Sequence, residues 1–294
     1  MNLNDLFLFY FDTYKNTLSE STYKKDLSLF NKHIKNSFLG KINVKNLTFI
    51  DLQNYINFML DNDYKVKTCK NVILKIKRVL DFALDLEIIN KNVAIKVKLP
   101  KFDNKVIFNK DYETMIKIIN AFMNSDNTHS LFFFFLLHGR RYSEVLKIKW
   151  RDIDFKNKTY TIRACNNKIK KNMNYCLSDD LYSRLKEHLL KTDFYRLDDY
   201  VFTNPHTKTH YKDLRKAFLK ILKNNNLEHI RIHDLRHLIA SFSINYLNAD
   251  INLVSNLLGH TNITTTTRYI TINQKLTKNI LENIFKRAKN EEQN

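Results

Sequence analysis

Apolar residues recur at helical intervals through the first hundred residues, interrupted by short polar stretches. A first amphipathic helix is expected near residues 3–15. A second begins in "SESTYKKDLSLFNKHI", with Ser19 or Ser21 as N-cap, and a third follows Thr48 in "TFIDLQNYINFMLD". A fourth, longer helix covers "TCKNVILKIKRVLDFALDLEII", where Val72, Ile73, Ile76, Val79, Leu80 and Phe82 approximate one face. Together these make a small helical bundle. The stretch "NKNVAIKVKLPKFDNK" at 90–105 holds lysines, Pro100 and no sustained period, so it reads as a linker. The expected division is residues 1–97, a linker at 98–106, and a second domain at 107–294.

The second part is mixed but mostly helical, with helices expected at 109–123, 128–138 and 142–149. Then "DIDFKNKTYTIRA" and "NMNYCLS" alternate and carry β-formers, which predicts a small antiparallel sheet turning at "KNK" and "NNKIKK". Helices resume near 178–190, 211–224, 233–246, 250–258 and 278–289. The last carries Ile280, Leu281, Ile284, Phe285 and Ala288 on one face. The fold class is therefore mainly α with a small antiparallel β-sheet.

Composition sharpens this picture at two points. Ordinary glycine usage of roughly 7% would put about twenty in a chain this long, yet there are 3 in 294 residues: Gly40, Gly139 and Gly259. The last two each sit beside a polar, basic cluster. Net charge is +19, spread along the chain: 16 basic against 10 acidic side chains in the first hundred residues, 33 against 20 in the remainder. That favours a polyanionic partner such as nucleic acid or an acidic membrane surface, although an AT-biased coding sequence would also enrich lysine. Three cysteines, Cys69, Cys165 and Cys176, have neither metal-ligand spacing nor an even count. The longest apolar run, "LFFFFLL" at 131–137, is far short of a membrane span and reads as a buried helix. A cytoplasmic location without a membrane partner is expected.

Four segments supply groups suited to an anion: "LHGRRYSEVLKIKW", "NNKIKKNMNYCL", "IHDLRH" and "LLGHTNITTTTRYI". Their chemistry-bearing residues are Arg141, Lys168, His233, Arg236, His260 and Tyr269. No carboxylate pair clusters with histidines for a hydrolytic metal centre, and no Walker-type loop exists, so neither metal nor cofactor is expected. Fixed guanidinium donors stabilise charge that grows on a phosphodiester during in-line displacement. A tyrosine oxygen can attack phosphorus covalently if a neighbouring base takes its proton. The phosphotyrosyl bond so formed conserves the energy of the cut strand. On the helix predicted over "HDLRH", His233 and Arg236 share a face, with His237 one turn from His233 as a competitor. Gly259, after the periodic "INLVSNLL", fits a left-handed helix C-cap that aims His260 out of the turn.

These segments resemble the tyrosine recombinases, the phage-integrase and Xer family. That signature has an arginine in "TGxRxSE", a lysine in a β-hairpin, "HxLRH", "LGH" and a tyrosine nine residues after the last histidine. The resemblance sets Arg141 in the first arginine's place, His233 and Arg236 in those of "HxLRH", His260 in "LGH" and Tyr269 in the nucleophile's. It prefers His233 to His237. The family's "GKGxKxRxVPL" stands here as "NKIKKNMNYCL": counting back from Leu177 selects Lys168, with Lys170 or Lys171 as substitutes. His138 stands where the family has threonine.

The resemblance implies an N-terminal SAM-like core-binding bundle and a catalytic domain, the two closing over opposite faces of double-stranded DNA at a specific recombination site. It implies strand exchange through a 3′-phosphotyrosyl intermediate and a Holliday junction. Arg141, Arg236 and His260 would hold the scissile phosphate, His233 would assist as base toward Tyr269 and in phosphate contact, and Lys168 would protonate the leaving 5′ oxygen. The terminal helix would link protomers into a homotetramer, and there is room for an accessory DNA-binding protein. Integration or excision of a mobile element and Xer-type resolution are both open, the short N-terminal lead resembling the minimal Xer layout. Two other readings compete: a catalytically silent, sequence-specific DNA-binding protein of the same fold, and a type IB topoisomerase acting as a monomer. Taken singly, Arg141 would pair with Glu144, and Thr264 to Thr267 would be structural.

Overall fold

The structure is a computed structural model that describes residues 1–102, 110–125, 129–192 and 195–269. The chain divides into two compact units, Met1–Lys105 and Val106–Asn294. The first holds helices α1 (Leu3–Tyr14), α2 (Glu20–His33), α3 (Phe38–Lys41), α4 (Phe49–Asp61) and α5 (Val66–Asp85). Their starts follow from local chemistry. Asn2 and Asp5 exchange side-chain and backbone hydrogen bonds at the head of α1, Thr48 and Asp51 do the same for α4, and Ser19 accepts from the Thr22 amide for α2. Each satisfies amides that a helix N-terminus otherwise leaves open. Inward residues of the four longer helices, among them Leu3, Phe7, Phe30, Ile56, Val72 and Leu80, form one continuous core. A buried ion pair, Lys75 with Asp26, ties α5 to α2.

Two features differ from the periodicity reading. The four-residue α3, which carries Gly40, is too short to register as a period. Residues 90–98, read as linker, fold back on the bundle. The Asn92 side chain donates to the Lys77 carbonyl and to Asp81, Ala94 is buried in a 3-10 turn, and Lys98 donates its amide to Gln53.

The second unit is built around phenylalanine. It holds α6 (Tyr112–Met123), α7 (Ser130–Leu136), α8 (Tyr142–Leu146), strands β1 (Ile153–Asp154), β2 (Thr159–Ile162) and β3 (Met173–Cys176), then α9 (Asp179–Leu190), α10 (Arg215–Asn224), α11 (Asp234–Asn245) and α12 (Ile251–Leu258). Every residue of the run Phe132 to Leu137 is buried. Phe133 packs against Phe122 of α6 and Phe218 of α10, whose rings stack at 5.0 Å. The strands form one antiparallel sheet in the order β1-β2-β3, with Thr159 opposite Cys176 and Ile162 opposite Met173. The β1–β2 turn at "KNK" is closed by Asp154, which accepts from the Lys156 and Asn157 amides. Helix α8 stops at Leu146, short of the expected 149, because the next backbone groups are taken elsewhere: Ile148 accepts from the Val201 amide and Trp150 donates to the Asp199 carbonyl. The helix expected at 278–289 lies outside the described residues.

The chain is thus mainly helical with a small three-stranded antiparallel sheet, as the periodicity predicts: a helical bundle followed by a mixed second unit. Among the described residues no helix is long and apolar enough to cross a membrane. Because Phe133 is fully buried among aromatic neighbours, Phe133→Ala should lower the stability of the second unit by about 3–5 kcal/mol. Denaturant unfolding followed by tryptophan fluorescence measures this through Trp150, the chain's single tryptophan.

Candidate active site

The turn after α7 sets the first elements of the site. Gly139 has φ 77°, a left-handed angle that favours glycine, and a Cβ there would lie 2.9 Å from Leu258 Cδ2 of α12. Its carbonyl accepts a hydrogen bond from Arg236 Nη1 at 2.6 Å. Two residues on, Arg141 caps α8: Glu144 accepts from the Arg141 amide at 3.0 Å and from its Nη1 at 2.7 Å. Glu144 is 1% exposed. The pairing anticipated for Arg141 is therefore real, and it orients the guanidinium while leaving further N–H donors for an anion.

Helix α11 and its N-cap residue, His233, contribute the next side chains. Asp234 accepts from the Arg231 amide and guanidinium, which fixes the helix start. Arg236 is 2% exposed, and its Nη2 is buried with no partner among the described residues. An unpaired guanidinium N–H in such a place is a ready anion donor. His237, not His233, meets the nucleophile candidate: its Nδ1 is 2.6 Å from the Tyr269 hydroxyl. His233 stands behind it, with the two rings edge to face at 4.8 Å.

Helix α12 ends as its glycine predicts. Gly259 is left-handed (φ 64°, ψ 50°), with the His260 amide donating to Ser255 and the Gly259 amide to Asn256. His260 Nδ1 is 2.7 Å from the hydroxyl of Thr266, which is fully buried, leaving Nε2 as the free ring nitrogen. A 3-10 turn over Thr267–Tyr269 then delivers Tyr269, 6% exposed, and Asn245 of α11 donates to its carbonyl at 2.9 Å.

Charge dominates the electrostatics. Burial first, then the Arg141 and Arg140 guanidiniums, press Arg236 down to about 10, still a cation at neutral pH. Burial, followed by nearby charges including Arg236 and Arg141, lowers both His260 and His233 to about 4. His237 is lowered mainly by burial, and burial raises Tyr269 against the pull of Arg236 and Arg268. Lys168 lies exposed on the β2–β3 connection. Lys171, also exposed, lines a cleft of about 360 Å³ together with Met173, Tyr175 and His260. Among the described residues no group of three His, Cys, Asp or Glu side chains could hold a metal.

Thr266, within the threonine run read as structural, buttresses His260, whereas Asn245 and the pairing of His237 with Tyr269 were not singled out from sequence. Their only local sign is polar residues facing one way on α11 and inside the threonine run. Both His233 and His260 titrate near 4 in the folded chain against about 6.5 when unfolded. On acidification the unfolded chain takes up protons first, so stability held above about pH 6.5 is lost as pH falls toward 4. The melting temperature should fall across that window, and less steeply in His233→Gln and His260→Gln; a flat profile would contradict the burial described. Gly259→Ala, forced into a left-handed angle and against the Tyr175 hydroxyl, should cost at least about 1–2 kcal/mol in thermal unfolding.

A sequence model of the phage integrase family matches residues 105–276, and one of the phage integrase N-terminal SAM-like domain matches residues 2–60. The chain is 28% identical to a probable integrase/recombinase of Acholeplasma phage L2, covering 94% of this chain and 95% of that one. It is 25% identical to tyrosine recombinase XerC of Staphylococcus aureus (strain JH9), covering 92% and 91%. Among solved structures, the Tn1549 transposon integrase in complex with a circular intermediate DNA superposes with a TM-score of 0.77 at 17% identity, over 96% of this chain and 99% of that one. The matched span takes in the Gly139 turn, the sheet, α11 and the Gly259 turn with Tyr269, and on that ground the chain belongs to the phage integrase family of tyrosine recombinases.

Proposed function

We propose that this chain is a site-specific recombinase that cuts and rejoins double-stranded DNA through a covalent 3′-phosphotyrosyl intermediate and a Holliday junction, with Tyr269 as nucleophile. One observation carries the reading: the Tyr269 hydroxyl is hydrogen-bonded to a neutral-leaning imidazole, electrostatically close to Arg236, whose Nη2 is buried and unpaired. In the proposed step the Tyr269 proton passes to His237 Nδ1 and Oη attacks phosphorus. The bond to the 5′ oxygen breaks, and that oxygen takes a proton from a hairpin lysine. Arg141, Arg236 and His260 bind the non-bridging oxygens as their charge grows. His233 stands behind His237 as a further phosphate-side group. Motif position favours Lys168 as general acid, and the cleft favours Lys171.

DNA as partner is supported by the net charge of +19 and by relatives solved on DNA, including a lambda integrase dimer bound to its core site. A homotetramer on two duplexes, joined through the apolar stripe at 278–289, completes the proposal, with mobile-element integration or excision as the role nearest to the phage relative. Covalent trapping on genomic DNA followed by sequencing of the attached ends tests chemistry and target together. Tyr269→Phe should retain DNA binding and form no adduct; an adduct in that variant would sink the assignment. His237→Gln should slow adduct formation by about 10²–10⁴-fold, and more than His233→Gln does. A substrate with sulfur in place of the leaving 5′ oxygen needs no proton on departure, so it should restore cleavage to whichever of Lys168→Ala and Lys171→Ala lacks the acid.

A further inference from the structure

Arg140 stands next to the expected phosphate ligand Arg141 and is 1% exposed. Among the described residues it has no acidic partner. Its Nε and Nη2 donate to the His138 carbonyl at 3.2 and 3.1 Å, while Nη1 is buried and unpaired. The guanidinium carbon lies 3.5 Å from the ring centroid of Tyr175 on β3. The Tyr175 hydroxyl in turn fills the space that a Cβ on Gly259 would occupy, and it contacts Met173 Sδ at 3.4 Å. One side chain therefore joins three segments distant in sequence: the turn bearing Arg141, the strand that closes the lysine hairpin, and the helix end that presents His260.

Burying a cation without a counter-ion and with an unmade hydrogen bond destabilises a fold. If packing were the only demand here, an aliphatic side chain would meet it better, and a cation kept against that penalty points to a task in the site.

We propose that Arg140 is a positioning residue for strand transfer, acting through Tyr175 to hold the Arg141 turn and the Gly259–His260 turn in register on one phosphate. The inference rests on the recombinase reading above. The two turns lie more than a hundred residues apart in sequence, and misplacement of such groups by about 1 Å can slow chemistry about 10²-fold.

The test uses the full chain and a nicked duplex carrying the sequence recovered by covalent trapping. Arg140→Leu and Tyr175→Leu should each slow single-turnover adduct formation by about 10–100-fold while DNA affinity stays near that of the unaltered chain. The double variant should be no slower than the slower single, since both cut the same link. Tyr175→Phe, which keeps the ring, should recover most of the rate. The melting temperature of Arg140→Leu should equal or exceed that of the unaltered chain, an outcome that a merely structural role would reverse. Unaffected rates, additive losses, or a rate loss that tracks a lowered melting temperature and weakened DNA binding would each overturn the inference. Absence of adduct with the unaltered chain would instead overturn the recombinase reading, and this inference with it.

Discussion

A guanidinium taken out of water has to be answered by fixed dipoles, a counter-ion or a ligand, and that demand at Arg236 organises the second unit. One edge of the group is met by the Gly139 carbonyl, which is available only because a left-handed glycine lets the chain turn beneath α12. Among the described residues, Nη2 on the other edge has no partner. Arg141 nearby is held by Glu144, a buried carboxylate. The imidazoles around this cluster are kept neutral by burial and by the same positive field. Neutral imidazoles beside guanidiniums form a donor array with net positive charge and no internal anion sufficient to quench it. Such an array is relaxed by a phosphodiester and more so by the doubly charged arrangement reached during its displacement.

The nucleophile candidate is governed from the same helix. α11 carries Arg236 on one position, His237 on the next and Asn245 two turns on, so the buried guanidinium, the phenol's partner and the clasp on the phenol's backbone share one rigid frame. Burial raises the pKa of Tyr269 while it lowers that of His237. The proton therefore rests on oxygen in the absence of substrate, with an acceptor already in place. Approach of a phosphate would add negative charge beside the imidazole and make it more basic when the transfer is needed.

Much of the fold is legible locally, because caps and periodicity are local. Ser19, Thr48 and the alternation at 159–162 each act through neighbours within a few positions, and Gly259 announces a helix end by being glycine where others are scarce. The order and spacing of Arg141, Arg236, His260 and Tyr269 are legible as a motif for the same reason. What escaped is set by long-range contact. His233 and His237 both lie within one turn of Arg236's face, and only the path of the chain from Gly259 to Tyr269 selects between them. The hairpin lysines differ by three residues across a connection that begins with a 3-10 turn at 164–166, a geometry that no alternation encodes. Arg140 carries no local signal, because its partner, Tyr175, arrives from strand β3. Residues 90–98 looked like linker because Asn92 is answered by Lys77 and Asp81, not by its own neighbours.

The double attachment of Tyr269 to α11, through its hydroxyl and through its backbone carbonyl, makes that helix a ruler. A single residue inserted between His237 and Asn245 would advance the helix by about 1.5 Å and rotate everything beyond it by about 100°, releasing one clasp while the other held. The length of this stretch is therefore constrained more tightly than its composition. Drift in this chain can exchange the outward-facing residues of α11 freely, but it cannot add or remove one without parting the Tyr269 hydroxyl from His237 or its carbonyl from Asn245.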